Sequence, residues 1–192
     1  VGGLPKWLSE FRPEFYFNSQ EQIGFLNSSI IEGVNLFRDI FGYTPLALTP
    51  SNGIFHPILE KTVADSGLKY LNMNHFNPIP DKNGKLKLKY FHTGKKTNLG
   101  LTYYTRNCAF EPTDPGYSGI DLTMKQIEAA FRWGKPANVS THRVNFIGAI
   151  EPTNREKGLK ELKLLLTSIV KKWPDVEFMS SADMFKAIAP ND

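Results

Sequence analysis

The strongest candidate for chemistry lies at the end of one apolar stretch. Residues 137–146 read ANVSTHRVNF, in which small and β-branched residues lead into His142 and Arg143. Imidazole changes its charge near neutral pH, so a histidine at a pocket mouth can donate a proton to a leaving group. Arg143 could hold an anion or raise the acidity of that imidazole, and Asn145 could shape the loop. We predict a catalytic role for His142 and substrate binding by Arg143. The simpler alternative is a histidine that hydrogen-bonds the next loop, beside an ordinary surface arginine.

A second dense cluster occupies residues 105–112, TRNCAFEP. Arg106, Asn107 and Glu111 surround an apolar ring there. Glu111 could form an ion pair with Arg106 inside the fold. Alternatively, Glu111 accepts sugar hydroxyls or acts as a base while Arg106 orients it. Cys108 has no activating neighbour in the sequence, so we expect it to be buried packing.

Further candidates follow two shorter apolar stretches. Asn52 comes after PLALTP at 45–50, and His75 comes after LKYLN at 68–72. His56 precedes Pro57 and could cap a helix instead. The predicted substrate-binding residues are therefore Asn52, His75, Arg106, Asn107, Glu111 and Arg143.

The elements that must position these residues follow a strand–loop–helix rhythm. Apolar spacing, prolines and glycines predict helices at 18–41, 58–66, 123–133, 153–173 and 182–188. The same signals predict strands at 45–50, 68–72, 137–146 and 176–180. Strands that alternate with helices imply a mainly parallel sheet, in which the loops at the carboxyl strand ends carry the chemistry. Thr123 with Gln126, and Ser180 with Asp183, have the spacing of helix caps.

Residues 81–119 interrupt this rhythm. KNGK has Asn-Gly at its centre, which is typical of a hairpin turn. KLKLKYF alternates cleanly and could pair with GLTYYTRN, so we predict a β-hairpin insertion. Its lysines would form either a solvated face or a surface for an anionic polymer or membrane. These lysines are Lys82, Lys85, Lys87, Lys89, Lys95 and Lys96.

Bulk composition limits the possible classes of protein. The chain has 192 residues, 41% apolar and 22% charged, which is an ordinary globular mixture. No apolar run is long enough for a transmembrane helix, and the first residues lack the features of a signal peptide. Those residues look like mid-domain sequence, so we expect the native chain to begin upstream, with 1–192 as one (β/α)-type domain.

Several motifs are absent. One cysteine excludes an internal disulfide framework and a Cys-rich zinc site. HxxxH, HExxH, an Asp-Asp pair, GxSxG, a P-loop and GxGxxG are all missing, so serine nucleophiles and nucleotide binding lack support. We expect no nucleic-acid partner. Compartment and oligomeric state stay open.

Three stretches resemble the C-terminal half of a polysaccharide deacetylase domain, the NodB-like family. They are NLFRDIFGYTPLALTPSNGIFHPILEKTVADSGLKYL, STHRVNF and LKELKLLLTSIVKKWPDVEFMSSADMFKAI, about three quarters of the chain with 81–119 as an insertion. The resemblance implies an α/β fold, a partial or distorted (β/α) barrel that is the C-terminal part of a larger one. The family's Arg-x-Pro-Tyr loop aligns with residues 48–51, where Pro50 matches but Leu48 and Ser51 replace the arginine and the aromatic residue.

The resemblance also implies an activity. Family members remove N- or O-acetyl groups from carbohydrate, with a divalent metal, usually zinc, held by Asp-His-His and a second aspartate as base. Those motifs belong to the first half of the family's domain, and this chain has none of them. His142 matches the family's general acid. The expected function is therefore that of a metal-assisted, deacetylase-like hydrolase whose metal half lies upstream or has been lost.

Two alternatives from other classes stay open. The same scaffold could be a glycan-binding domain without turnover. The lysine-rich hairpin could instead make the chain a binder of an anionic polymer. The carbohydrate itself and its linkage are not fixed by these residues.

Overall fold

A computed structural model describes residue 15 and residues 20–53, 55–80 and 86–189. Its α-helices, numbered α1 to α5 in chain order, are Gln20–Phe41, Glu60–Asp65, Asp121–Arg132, Pro152–Lys172 and Ser181–Ile188. Its strands, β1 to β7, are Ala47–Leu48, Tyr70–Asn72, Phe76–Pro80, Leu86–Tyr90, Thr102–Tyr104, Cys108–Ala109 and Val139–Ser140. Three 3₁₀ turns are Ser51–Gly53, Pro57–Leu59 and Arg143–Asn145.

The chain divides into two compact units. The first comprises Val1–Thr105 and Phe185–Asp192, and the second comprises Arg106–Met184. Among the described residues each unit holds one parallel sheet, and this mixture of helices and sheets agrees with the α/β class predicted from the sequence. The sheets of the described residues contain three, two and two strands and form no closed barrel.

In the first unit, α1 confirms the predicted helix, although residues 18 and 19 lie outside the described ranges. Leu26, Ile30 and Val34 recur every four residues and are buried, because that spacing places them on one face. This face joins a core shared with Leu71 and Leu101, from the sheet side of the unit. The sheet has the order β1-β2-β5, and both strand pairs are parallel.

The hairpin prediction was wrong in its pairing. The strand β4 pairs antiparallel with β3, which precedes it, in a register that sets Phe76 opposite Tyr90. The predicted partner, residues 100–107, contributes β5 to the parallel sheet beside β2. Thr102, Tyr103 and Tyr104 are all buried, as expected of a strand covered on both faces. The predicted turn KNGK lies outside the described residues.

In the second unit, α3 is the crossover between β6 and β7, which pair in parallel. The predicted capping box of Thr123 and Gln126 was wrong, because α3 begins at Asp121. Thr123 Oγ1 donates to the carbonyl of Ala109 at 2.6 Å, and Gln126 Oε1 accepts from the Ala109 N–H at 2.7 Å. These side chains therefore fix the end of β6 against the helix.

The core of the second unit lies between this sheet and two helices. Cys108, Phe110 and Ile127 pack there against Leu165 and Ile169 of α4. The prediction of a buried Cys108 is confirmed, and burial raises the pKa of its thiol to about 12. The thiol therefore stays protonated at neutral pH and is a poor nucleophile.

Two strand predictions need correction. The stretch 137–146 pairs only at Val139–Ser140 and then enters a 3₁₀ turn. The stretch 176–180 forms no strand, although its residues favour one, because no neighbouring strand pairs with it within the described ranges. Ser180 instead caps α5 as predicted: its Oγ accepts from the Asp183 N–H at 3.2 Å and donates to that carboxylate at 2.7 Å.

Candidate functional site

The parallel register of the second unit brings Glu111 and His142 together. Ala109 lies opposite Ser140, and the N–H of Phe110 donates to the carbonyl of Ser140 at 2.9 Å. Each strand then continues for two residues beyond its paired position, from Ala109 to Glu111 and from Ser140 to His142. The carboxyl ends of parallel strands meet at one edge of a sheet, so the two side chains arrive side by side.

Glu111 and His142 form a direct hydrogen-bonded pair. The distance from His142 Nδ1 to Glu111 Oε1 is 2.7 Å, and the backbone N–H of His142 donates to Oε2 at 3.3 Å. The His142 side chain is 74% exposed, whereas that of Glu111 is 26% exposed. The carboxylate is thus partly shielded, while the imidazole faces solvent.

The side-chain amide of Asn145 holds the carboxylate of this pair in position. Its side chain is fully buried, and its Oδ1 accepts from the N–H and the hydroxyl of Thr113 at 3.0 and 2.7 Å. A backbone N–H can only donate, so the amide oxygen must face Thr113 and the amide nitrogen must face Glu111. The Nδ2 atom then donates to Glu111 Oε2 at 2.7 Å, and it also contacts Thr141 Oγ1 and the carbonyl of His142.

This orientation assigns the proton positions around the imidazole. Glu111 Oε2 accepts from Asn145, and Oε1 is the remaining acceptor for His142 Nδ1–H. Carboxylates that orient histidines in this way fix the tautomer and stabilise the protonated ring. Among the described residues, Nε2 of His142 has no hydrogen-bond partner, so it is the atom available for proton exchange with a bound molecule.

A glycine in α4 allows this loop to lie close to the helix. A Cβ atom built on Gly158 would lie 1.7 Å from the backbone oxygen of Asn145 and 3.4 Å from Phe146 Cδ1. Both Gly158 and Asn145 are buried. The absence of a side chain at Gly158 therefore lets the turn that carries Asn145 pack directly against α4.

Two other predicted residues lie at the opposite end of β6. Asn107 ties the two strands together: its Oδ1 accepts from the Asn138 N–H at 2.7 Å, and its Nδ2 donates to the carbonyl of Pro136 at 2.9 Å. Arg106 precedes it with an exposed side chain. The structure gives Glu111 a bond to His142 and not the ion pair with Arg106 that the sequence allowed.

Arg143 lies closest in sequence to the pair, at the start of the 3₁₀ turn after His142, and its side chain is exposed. Asn52 and His75 belong to the first unit. Asn52 lies in the turn Ser51–Gly53, and His75 directly precedes β3, where its Nδ1 lies 3.3 Å from the carbonyl of Phe91.

The described residues do not fit the metal that the family resemblance implies. No group of three or more His, Cys, Asp or Glu side chains in the described ranges could hold a metal ion. Glu111 and His142 are bonded to each other, and the second oxygen of Glu111 accepts from the side-chain amide of Asn145. An Asp-His-His site therefore has no counterpart among these side chains.

A groove of about 800 Å³ also lies in the second unit. Its lining includes Val139, Phe131, Trp173 and Phe178, and it includes none of the predicted site residues. The predicted catalytic histidine is therefore at an exposed strand end and not inside this groove.

Sequence reasoning missed the organising role of Asn145 and Thr113. Both residues are common in loops, and thirty-two positions separate them. The polar run that follows β7 was the available signal, and it suggested only that Asn145 shapes the loop.

Comparisons with known proteins assign no function to this site. No family model matches the chain, and no curated protein matches it. Within the described part of the chain, no helix combines the length and the apolarity needed to cross a lipid bilayer.

Proposed function

We propose that Glu111 and His142 form the proton-transfer pair of a carbohydrate deacetylase-like hydrolase. The observation that carries this proposal is the 2.7 Å contact between His142 Nδ1 and Glu111 Oε1, which leaves an exposed Nε2. The resemblance of STHRVNF to the family's general-acid motif supports the assignment, as does the parallel-strand edge on which the pair lies.

The pair suits the departure of a sugar amine or hydroxyl. Hydrolysis of an acetyl group passes through a tetrahedral intermediate, and the leaving nitrogen or oxygen must gain a proton as its bond to carbon breaks. His142 gives that proton from Nε2, while the Glu111 carboxylate stabilises the imidazolium through Nδ1–H. Asn145 holds the carboxylate in place, and Arg143 contacts the substrate beside the imidazole.

Among the described residues, no group could hold the divalent metal, zinc, that the family resemblance implies, and no step is assigned to such a metal. A metal in this reaction would polarise the acetyl carbonyl. The role of Glu111 and His142 is therefore protonation of the leaving group and not activation of the attacking water.

Acetate release by the full-length protein tests this function. The substrates are short chitin oligosaccharides and acetylated xylan oligosaccharides, each assayed with and without added zinc. His142→Gln and Glu111→Gln should lower kcat by about 10²-fold or more, because each removes positioned acid–base catalysis. Glu156→Gln is the matched control, since Glu156 is an exposed carboxylate of α4.

The outcomes separate the alternatives. Zinc-dependent acetate release that is lost in His142→Gln, while the variant keeps its melting temperature, supports the proposal. Full activity in His142→Gln contradicts it. Binding of the oligosaccharides without turnover under any metal condition favours a glycan-binding domain on the same scaffold.

A further inference from the structure

The outer edge of β7 carries backbone groups that point away from its partner strand. Towards β6, the carbonyl of Asn138 accepts from the Cys108 N–H at 3.2 Å. The carbonyl of Ser140 accepts from the Phe110 N–H at 2.9 Å in the same direction. Successive residues of a parallel strand direct their backbone groups to opposite sides in turn, so the N–H and C=O of Val139 point away from β6. Among the described residues this sheet has two strands, so no strand pairs with Val139 on that side.

This edge lines the groove of about 800 Å³ in the second unit. The lining combines residues 136–139, which lead into β7, with residues 174–181, which follow α4. Ile127, Phe131 and Ile169 add apolar side chains from the two helices of this unit. An unpaired strand edge beside an apolar groove is the arrangement to which extended peptides add as a further strand.

The second segment of the lining also lacks a strand partner. Residues 176–180 favour a strand in their composition but pair with none in the described ranges. The N–H groups of residues 177–180 donate to no backbone carbonyl within those ranges. Phe178, Met179 and Val139 are 62%, 45% and 37% exposed. The groove therefore offers unused backbone donors and exposed apolar side chains from two segments of the chain.

The charge of the lining is negative. Its charged residues are Lys172, Asp175 and Glu177. The Lys172 ammonium lies 2.9 Å from the carboxylate of Glu128, so its charge is already compensated. Asp175 and Glu177 are exposed and have no ion-pair partner among the described residues. The lysines nearest to the lining in the sequence, which do not belong to it, are Lys135 and Lys171. Two uncompensated carboxylates favour an occupant with basic side chains.

We propose that the outer edge of β7 and this groove bind an extended peptide of another protein, in which apolar and basic residues alternate. The peptide backbone pairs with the N–H and C=O of Val139 and adds a strand to the sheet. Its apolar side chains pack into the groove, and its basic side chains face Asp175 and Glu177. The proposed hydrolase function is independent of this site, because Glu111 and His142 do not line the groove.

Fluorescence anisotropy on the 192-residue chain tests this inference. The probe is a labelled, end-blocked peptide of alternating lysine and valine, KVKVKVK, which should bind saturably. The same peptide N-methylated at every residue should bind at least about tenfold more weakly, because it has no N–H groups to donate. The peptide EVEVEVE should also bind more weakly, since the carboxylates of the groove repel it. Amide hydrogen exchange at Val139 should be fast in the free chain and slowed by KVKVKVK.

Val139→Pro removes the outward N–H and leaves the bonds to β6 in place. Proline is tolerated on an edge strand where its nitrogen faces away from the ladder, so the variant should keep its melting temperature. It should weaken the Kd of KVKVKVK by about tenfold, because the peptide loses a backbone donor. Val139→Thr keeps both the N–H and a β-branched side chain, so its Kd should stay within about threefold.

A charge variant tests the groove without a change to the backbone. Asp175→Asn/Glu177→Gln replaces exposed side chains, so the fold should be kept. The Kd of KVKVKVK should weaken by about fivefold, and its salt dependence should fall. The matched control is Glu32→Gln/Glu156→Gln, which removes two exposed helical carboxylates outside the groove and should change the Kd by less than about twofold.

Four results would overturn the inference. The first two are equal affinity for the N-methylated peptide and an unchanged Kd in a folded Val139→Pro variant. The third is a dimer of the free chain in sedimentation that Val139→Pro dissociates, which would make a second copy the occupant. The fourth is slow exchange of the Val139 amide in the free chain, which would show that residues 176–180 already cover this edge.

Discussion

The Nδ1 atom of His142 lies 2.7 Å from Oε1 of Glu111, and the two residues leave neighbouring parallel strands at the same edge. Thirty-one positions separate them in the sequence. Their meeting depends on the register of β6 and β7, on the side chain of Asn145 and on the absence of a side chain at Gly158. The dependences on Asn145 and on Gly158 each give a measurable expectation.

The amide of Asn145 should be required for the stability of the second unit. Asn145→Asp keeps the shape but places a second carboxylate where Nδ2 now donates to Glu111. At pH 7 we expect a loss of about 3 kcal/mol in the free energy of unfolding, because a buried donor is replaced by like charge. Urea denaturation at pH 7 and pH 4 measures the loss, which should shrink in acid as the carboxylate pair gains a proton.

Asn154→Asp is the matched control for that substitution. It lies in the first turn of α4, where a negative charge is favoured, so its stability should not fall. An Asn145→Asp protein as stable as the wild type at pH 7 would show that Nδ2 does not face Glu111.

Gly158 should tolerate no side chain. In Gly158→Ala the new Cβ would meet the Asn145 carbonyl oxygen at 1.7 Å, so α4 or the turn must move. We expect a loss of about 3 kcal/mol in unfolding free energy, the upper range for overpacking. Gly33→Ala in α1 is the control: nothing lies within 4 Å of its Cβ position. Thermal denaturation should show it stabilised by about 0.5–1 kcal/mol, the usual helix-propensity gain.

A Gly158→Ala protein with the melting temperature of the wild type would contradict the close approach. Equal changes in melting temperature for Gly158→Ala and Gly33→Ala would also contradict it, because the first position is crowded and the second is open.

The first unit should lose stability as its buried carboxyl group ionises. Burial raises the pKa of Glu60 above its ordinary value of 4.5, and the 2.7 Å hydrogen bond from Tyr103 partly opposes this rise. The folded state therefore binds the proton more tightly, so the associated stability is full below pH 4.5 and falls as the pH rises through the folded-state pKa. Removal of the Tyr103 hydroxyl therefore takes away a hydrogen-bond donor that stabilises the ionised carboxylate of Glu60.

Tyr103→Phe should thus be more destabilising at pH 7 than at pH 4, by about 1 kcal/mol, since hydrogen bonds to charged groups are the stronger ones. Urea denaturation at the two pH values measures the difference. In a Glu60→Gln background, Tyr103→Phe should cost the same unfolding free energy at both pH values, because the amide oxygen accepts from Tyr103 but does not ionise. Equal losses for Tyr103→Phe at both pH values would show that Glu60 does not titrate there.

Local sequence patterns predicted the helices and strands better than they predicted which strands pair with each other. The apolar spacing of α1 and α4 was sufficient to place both helices. The partner of β4 was not predictable, because the choice between residues 76–80 and 100–107 depends on which segment the core buries. Residues 176–180 favoured a strand but have no neighbour to pair with, and β propensity acts only through such neighbours.

The same limit applied to the candidate site. His142 was predicted from its residue type at the end of an apolar stretch, and Glu111 from the dense polar cluster at residues 105–112. Their contact was not predicted, because it requires Ala109 to lie opposite Ser140, and no local pattern fixes that register. Asn145 gave even less signal, since a buried asparagine looks in sequence like any loop asparagine.

The tautomer of His142 tests the central claim most directly. Long-range ¹H–¹⁵N NMR correlations on the 192-residue chain identify which ring nitrogen carries the proton in the neutral imidazole. We expect Nδ1–H in the wild type, because Glu111 Oε1 accepts there. In Glu111→Gln an amide donor can face Nδ1, so the proton should move to Nε2. An Nε2–H tautomer in the wild type, or the same tautomer in both proteins, would contradict the account that Glu111 prepares His142 for proton transfer.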